Sequence, residues 1–179
     1  MITTINNAEI IKKYKDKIDK IKHKLKDLSK PLSDFEMYYS GIIRKNYYSD
    51  GEIFTHGGGW APLSEEYLEW KRAMVGKQLS YGRKVVSVEK LRLMDTLRKE
   101  VFSKNAVTIK KDRLEYNLKT IYAKIHQVGG RTSKGKIPAR PYLYSNKAKG
   151  LRSQDITVYF KILEKYLLSE IMNEQSIKA

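Results

Sequence analysis

Apolar residues recur at alternating steps of three and four near the start of the chain. The residues with this spacing are Ile11, Tyr14, Ile18, Ile21, Leu25, Leu28 and Leu32. A period of 3.5 residues with lysines on the other faces predicts an amphipathic helix, which we expect to end at Pro31. Its apolar stripe needs a partner, either the body of the same chain or another subunit. A membrane-surface role is less favoured, because Asp16, Asp19 and Asp27 interrupt the basic face.

A second helix with a broad aromatic face is predicted to follow. Ser33 and Glu36 have the spacing of a capping box, and the Asp50-Gly51 pair should end the helix. Residues 52–62 should form a loop. Ser64 is placed to cap a third helix, with glutamates in its first turn that favour the helix dipole.

The middle of the chain changes from a helical period to a period of two. An exposed basic loop is predicted at residues 76–86, and Ser87 should open a helical stretch. Apolar residues then alternate around 107–109 and 114–118, which predicts an antiparallel hairpin, with a third strand around 98–103.

The last third of the chain combines loops with a long helix. We expect a short segment over 122–127, a basic loop at 131–136, an extended segment over 137–143, and a final helix over 154–172. The predicted fold class is α+β, a small antiparallel β-sheet flanked by amphipathic helices, with a Lys-rich helix at the N-terminus.

Two regions are therefore predicted. Residues 1–32 form an N-terminal amphipathic helical arm, and residues 33–179 form one α+β domain.

Charge is distributed unevenly along the chain. The 179 residues include 36 Lys and Arg against 20 Asp and Glu, a formal net charge of +16. Residues 33–70 have a net charge of −5, whereas residues 71–152 have +17. Such alternation fits a protein that docks onto copies of itself or onto acidic partners, and it fits a DNA-binding surface equally well. Charge alone leaves both interpretations open.

Two glycine-containing segments resemble functional loops, but neither is complete. Residues 56–59 (HGGG) resemble the oxyanion loop of esterases, yet the chain has no G-x-S-x-G nucleophile elbow. We interpret the segment as a turn that lets Trp60 fold back onto the core. Residues 130–136 resemble a phosphate-binding loop, but Ile137 stands where Ser or Thr should hold magnesium, and Pro138 opposes the required helix.

The other titratable residues form no catalytic pattern. His23, His56 and His126 are isolated in the sequence, and the chain has no cysteine, which leaves little from which to build a metal site or a nucleophile. His126 precedes a glycine pair and is interpreted as a structural residue at a turn. We expect no enzymatic activity, no cofactor and no membrane partner.

Nucleic-acid binding is the main alternative to protein assembly. Basic residues in loops could follow phosphates while Tyr142 and Tyr144 stack on bases. These basic residues are Arg83, Lys84, Arg131, Lys134, Lys136, Arg140, Lys147, Lys149 and Arg152. The sequence shows no recognisable helix-turn-helix, RNA-recognition or zinc module, however.

Four segments have a characteristic order and spacing. They are GWAPLS at 59–64 with Lys71 downstream, LMDTLR at 93–98, YAKIHQVGG at 122–130 and IPARPYL at 137–143. Together they resemble the phage virion morphogenesis family, the tail-completion or neck proteins of tailed phages that include the Mu-type G protein group. The last two segments are the most specific, and the resemblance covers roughly residues 35–172. The chain has Asp-Thr at 95–96, where the family has Thr-Gly.

This resemblance implies a structural protein of virion assembly. It implies tail completion or head–tail joining at the neck, by a ring of identical subunits that contacts connector and tail proteins and meets genomic DNA in passing. The protein would reside in the virion at the head–tail junction, and in the host cytoplasm during assembly. A basic nucleic-acid-binding protein is the alternative.

The resemblance also marks candidate functional residues. Those expected to have structural or interface roles are Trp60, Pro62, Leu63, Ser64, Lys71, Tyr122, Ala123, His126, Gln127, Gly129, Gly130, Ile137, Pro138, Ala139, Arg140 and Pro141. Those expected to face DNA or a neighbouring subunit are Arg83, Lys84, Arg131, Lys134 and Lys136. The glycine pair should allow a turn with positive φ. Arg140, held between two prolines, should project and pair with an acidic residue rather than contact DNA.

Overall fold

The computed structural model describes residues 7–62, 64–66, 69, 73, 95–120, 123–133 and 135–176. The helices are α1 (Asn7–Leu25), α2 (Ser29–Tyr48), α3 (Glu52–Thr55), α4 (Asp95–Val101), α5 (Ala123–Val128) and α6 (Ser153–Ser176), with a 3-10 turn at Lys104–Ala106. The strands pair as two antiparallel sheets, β1 (Val107–Ile109) with β2 (Leu114–Tyr116) and β3 (Gly130–Thr132) with β4 (Gly135–Ile137). The predicted α+β class is confirmed. Among the described helices, none is long and apolar enough to cross a bilayer.

The boundary between the first two helices differs from the prediction. α1 ends at Leu25, and α2 begins at Ser29, so that Pro31 lies in the first turn of α2 instead of ending α1. Proline suits a first turn because the amide hydrogen that it lacks would have no helical partner there. The Asp27 carboxylate accepts a hydrogen bond from the Ser29 amide at 3.0 Å. Asp27 therefore satisfies one backbone amide at the start of α2, four residues before Ser33, where the sequence predicts the start of the helix.

The predicted strand around 98–103 is wrong, whereas the hairpin that follows it is confirmed. Residues 98–101 belong to α4. Leu97 and Val101 are both buried, and residues four apart lie on one face of a helix. The hairpin joins β1 to β2 through a turn closed by the hydrogen bond from the Lys110 amide to the Arg113 carbonyl.

A second hairpin stands where the sequence predicted a basic loop. β3 and β4 pair Gly130 with Ile137, Arg131 with Lys136, and Thr132 with Gly135. Its strands have three residues each and carry charges in place of alternating apolar side chains, so the period-two pattern is missing from the sequence.

The predicted loop at 52–62 is also partly helical. α3 occupies the first four residues of this range, directly after the turn at 49–51. The predicted basic loop at 76–86 and the helix start at Ser87 lie outside the described residues.

The chain divides into two compact units. The first contains residues 1–39, 108–115 and 152–179, and the second contains residues 40–107 and 116–151. The division into an arm of residues 1–32 and a domain of residues 33–179 remains a prediction.

In the first unit, α1 and α6 pack in antiparallel directions. The Lys24 ammonium donates to the Tyr166 carbonyl at 2.8 Å and to the Ser169 hydroxyl at 2.9 Å. The Tyr166 hydroxyl donates to the carbonyl of Asp27 at 3.1 Å. Residues that come later in the chain around the end of α1 thus contact residues that come earlier in α6.

The start of α6 is held by a buried ion pair. The Arg152 guanidinium donates twice to the Asp155 carboxylate, at 2.8 and 2.7 Å, and Asp155 is fully buried. The Tyr38 hydroxyl donates to the same carboxylate at 3.0 Å. Bidentate geometry of this kind makes a strong, oriented pair. Phe35 of α2 packs edge-on against Tyr159 with ring centroids 5.2 Å apart.

In the second unit, the core is built around an aromatic cluster. The Tyr47 ring meets the rings of Trp60, Phe102 and Tyr142 at centroid distances of 5.3, 5.4 and 6.3 Å. Tyr47 and Tyr142 are each 2% exposed, and burial raises the pKa of both phenols. The cluster fixes the end of α2 against the segments that form the candidate site.

Candidate functional site

Three of the segments that the sequence marked meet in the second unit. They are residues 59–62, 123–130 and 137–143, and we call their meeting point the motif junction. The side chains that join them come from the turn after α3, from α5 and from the extended segment after β4.

Trp60 is the first contact of the junction. Its indole nitrogen donates to the Pro141 carbonyl at 2.8 Å. The same carbonyl accepts from the side-chain amide of Asn46 at 3.1 Å, and the Asn46 oxygen accepts from the Phe54 amide at 2.9 Å. Asn46 is fully buried in α2, so one polar side chain ties a helix, a turn and a motif segment together.

The turn that brings Trp60 to this place depends on positive φ angles. Gly51 has φ 93°, His56 φ 59° and Gly57 φ 93°, values that glycine adopts at low cost. A Cβ on Gly51 would overlap the Trp60 ring, so the ring lies directly on this glycine. The predicted return of Trp60 to the core is confirmed.

Arg140 is the second contact. Its guanidinium donates to the Ala61 carbonyl at 3.2 Å and to the Pro62 carbonyl at 3.3 Å, and the residue is 5% exposed. Its backbone amide donates to the His126 carbonyl at 2.6 Å. Arg140 thus binds both other segments of the junction. These acceptors carry no formal charge, and the acidic partner suggested by the sequence stays a prediction.

The environment of the junction, including the positive charge of Arg140, also affects the pKa of His126. Burial, and then the nearby Arg140 guanidinium, lower the pKa of His126. The imidazole is therefore neutral at neutral pH, as suits a residue at the centre of a folded junction.

Gln127 is the third contact and uses its whole side-chain amide. Its oxygen accepts from the backbone amides of Tyr142 and Leu143 at 3.1 and 3.0 Å. Its nitrogen donates to the Tyr144 carbonyl at 2.8 Å and to the Asn146 side chain at 2.9 Å. Gln127 is 4% exposed. A buried amide with both ends satisfied orients one chain segment along another.

Gly129 allows the closest backbone approach in the junction. Its φ is 76°, and a Cβ there would lie 2.9 Å from the Ala139 nitrogen and 3.1 Å from the Ile137 oxygen. The positive φ and the lack of room for a Cβ both favour glycine at this position. The predicted turn with positive φ at the glycine pair is confirmed at Gly129.

A His-Ser contact lies beside the turn but has a structural geometry. His56 Nε2 is 3.1 Å from the Ser145 hydroxyl. Ser145 is fully buried, and its hydroxyl also accepts from the Ala148 amide at 3.4 Å. A nucleophile must reach its substrate, so this contact acts as a loop tether. Across the part of the chain that the structure describes, no group of three His, Asp or Glu residues could hold a metal ion.

Comparison with known families decides the identity of the chain. The phage virion morphogenesis family matches residues 51–168, a range that contains the whole motif junction. The chain belongs to this family. Membership gives the protein a structural role in virion assembly and associates it with the virion. No curated protein sequence and no solved structure matches the chain significantly.

The residues predicted for this family member separate into three groups. The motif junction contains Trp60, Pro62, Ala123, His126, Gln127, Gly129, Gly130, Ile137, Pro138, Ala139, Arg140 and Pro141. Exposed positions are occupied by Ser64, Arg131 and Lys136. Outside the described residues are Leu63, Lys71, Arg83, Lys84, Tyr122 and Lys134.

The sequence did not single out Asn46 as part of the site. The spacing of α2 carries a signal for it, since Asn46 follows the buried residues Tyr39 and Ile43 at steps of seven and three, and these steps keep it on the apolar face. A polar residue on such a face must find partners in the core, here Pro141 and Phe54.

Proposed function

We propose that the protein completes the phage tail and joins it to the head at the neck, acting as a ring of identical subunits. The motif junction carries this proposal. Trp60, Arg140 and Gln127 direct their polar atoms to main-chain groups of neighbouring motif segments. Such an arrangement holds a framework in one shape, as an assembly part requires, and membership of a virion morphogenesis family agrees with it.

The distribution of charge supports a ring. Residues 33–70 are acidic and residues 71–152 are strongly basic, so complementary charges lie in different regions of one chain. Contacts between two different surfaces of identical subunits are heterologous, and such contacts form rings when their rotation closes. The connector and tail proteins would be the partners above and below the ring.

The test is the oligomeric state combined with a joining assay. We expect native mass spectrometry and negative-stain images of the purified protein to show a discrete ring. We also expect the protein to restore infectivity when added to heads and tails from phage that lack it. A monomer that fails to join heads to tails would contradict the proposal.

DNA binding is the second candidate, and one contact favours it. Arg131 and Lys136 stand directly opposite each other on β3 and β4, and both are exposed. Like charges in a directly paired position are unfavourable unless an anion lies nearby. A phosphate backbone would supply that anion.

Salt dependence separates this candidate from ring assembly. Each phosphate contact that releases counterions adds about 0.9 to the slope of log K against log salt for duplex DNA. A monomer that binds duplex tightly with a steep slope would favour the DNA-binding role. A ring that binds duplex DNA weakly, with a shallow salt slope, would favour only transient contact with DNA during assembly.

A further inference from the structure

The helix α1 leaves a row of large apolar side chains exposed. Ile11 is 67% exposed, Tyr14 63%, Ile18 51% and Leu25 48%. Monomeric proteins rarely leave an apolar face of this kind open, and such a face marks a contact with another surface. We call these four residues the α1 row.

The helix α6 has an apolar row of its own. Ile156 is 41% exposed and Phe160 is 60% exposed. Leu163 and Leu167, which are half-buried, continue the row at steps of three and four. We call these four residues the α6 row. Each row runs along about three to four turns of helix, so either one is long enough to cover the other.

Within one copy of the chain the two rows lie outside the contact between the helices. Since successive helix residues are about 100° apart, the α1 row is centred about 80° around its helix from Ile21 and Lys24. Lys24 bonds to α6. The α6 row is likewise centred about 80° around its helix from Tyr159 and Tyr166, which contact α2 and the residues just after α1. The packing of α1 on α6 therefore leaves both rows to be covered by something else.

Charges beside the rows favour one pairing between copies. The charged residues within about 90° of the α1 row are all lysines, namely Lys15, Lys17 and Lys22, of which Lys22 already pairs with Asp19. Between Ser153 and Ser169, the only charged residue equally close to the α6 row is Glu164, which is exposed. Two α1 rows face to face would bring lysines together, whereas an α1 row on an α6 row places lysines beside a carboxylate.

We propose that the α1 row of each subunit docks onto the α6 row of the next copy of the chain. This inference rests on the proposed ring, and it names the contact between subunits. Both surfaces are apolar, so each can cover the other. They also differ, so each subunit gives one and receives the other, and the contact can repeat around a ring.

Single-cysteine variants test which helices meet, because the chain has no cysteine of its own. Ile18→Cys is mixed with a tagged Phe160→Cys protein, and the mixture is treated with a short bismaleimide linker. A product that contains one subunit of each variant can form only between copies. We expect this mixed product to dominate. We expect little linked product from Ile18→Cys alone, since two α1 rows should not face each other.

Lys20→Cys is the matched control for linking. Lys20 is an exposed residue of α1 that lies about 150° around the helix from the α1 row. We expect little mixed product when this variant is combined with Phe160→Cys. An equal yield from Lys20→Cys and Ile18→Cys would show that linking does not depend on the α1 row, and it would overturn the contact.

Charged substitutions within the rows test whether assembly needs them. Ile18→Asp and Phe160→Asp each place a carboxylate in the proposed apolar contact, and we expect each to raise the concentration needed for assembly roughly 30-fold. Both positions are exposed, so the subunit should stay folded, which circular dichroism checks. Met37→Asp, at a position of α2 that is 66% exposed and outside both rows, should assemble like the wild type.

The outcomes separate the contact from the ring itself. Wild-type rings, together with Ile18→Asp and Phe160→Asp proteins that assemble normally, would overturn the docking contact and leave the ring intact. An equal loss of assembly in Met37→Asp would also overturn the contact. Strong mixed linking in a species of only two subunits would support the contact and overturn the ring. A wild-type protein that is monomeric at every concentration would overturn both.

Discussion

The indole nitrogen of Trp60 and the carbonyl oxygen of Pro141 are 2.8 Å apart, although 81 residues separate them in the chain. The bond joins the turn after α3 to the extended segment after β4. Since Asn46 donates to the same carbonyl, this oxygen has both of its lone pairs engaged. The contact makes two distant motif segments into one structural unit.

Replacing Trp60 separates the hydrogen bond from the packing of the ring. We expect Trp60→Phe to lower the free energy of unfolding by about 1 kcal/mol, because it removes one donor and keeps an aromatic ring. Trp60→Ala should cost about 3–5 kcal/mol, since it leaves a cavity beside Tyr47. Urea unfolding followed by circular dichroism measures both. Tyr14→Ala, at an exposed position, is the control, and equal effects of the two Trp60 variants would contradict the role of ring packing.

Gly51 and Gly57 offer a matched pair for the turn. Both have φ 93°, but a Cβ on Gly51 would overlap the Trp60 ring, whereas a Cβ on Gly57 would have no atom within 4 Å. Gly57→Ala should therefore lower the free energy of unfolding by about 1–2 kcal/mol, the cost of a positive φ for a residue with a Cβ. Gly51→Ala should cost clearly more, because the ring must also move. Thermal unfolding of the two variants gives the comparison. Similar losses of stability would show that the indole ring of Trp60 can move aside at little cost.

Arg140 should act on the fold and not on DNA. Its guanidinium is buried against the carbonyls of Ala61 and Pro62. We expect Arg140→Ala to lower the free energy of unfolding by about 2–4 kcal/mol, since it removes a buried side chain and the charged donor of both carbonyls. Calorimetry would measure the shift in melting temperature. Lys136→Ala, on the exposed face of β4, should leave stability unchanged. A loss of DNA retention in Arg140→Ala with unchanged stability would contradict the structural role.

Elements in which a regular apolar pattern continues over many residues could be predicted from the sequence. The final helix was expected over 154–172 and spans Ser153–Ser176, and the β1–β2 hairpin lies where apolar residues alternate. The β3–β4 hairpin could not be recognised, because three-residue strands bearing Arg131 and Lys136 show no apolar alternation. The strand assigned to 98–103 failed because a segment of six residues fits either period.

The candidate site could be predicted only in part. Glycine and proline positions mark turns and extended segments without knowledge of the partner, so the turn at Gly129 was predictable. The acceptors of Trp60, Gln127 and Arg140 depend on how distant segments pack. A hydrogen bond from Arg140 to the Ala61 carbonyl leaves no signal in the identity of residue 61, since every residue has a carbonyl.

Glu100 predicts how stability depends on pH. Its carboxylate accepts hydrogen bonds from the Thr120 hydroxyl and from the Lys119 amide. These bonds, the one from the Thr120 side chain first, lower the pKa of Glu100 in the folded protein. A lowered folded pKa stabilises the fold fully above the unfolded value of about 4.3, and this stabilisation is lost as the pH falls through the folded pKa.

Glu100→Gln should therefore be less stable than the wild type at pH 7, and the difference should shrink as the pH is lowered from about 5 to 3. Hydrogen bonds also lower the pKa of Asp27 and Glu115, so the wild type and the variant both lose stability in acid, and their difference isolates Glu100. Urea unfolding at several pH values measures it. Glu164→Gln, at an exposed position of α6, should change stability by less than about 0.5 kcal/mol throughout. A Glu100→Gln difference that stays constant with pH would contradict the hydrogen-bonded carboxylate, because only an ionisable group can make the difference vary.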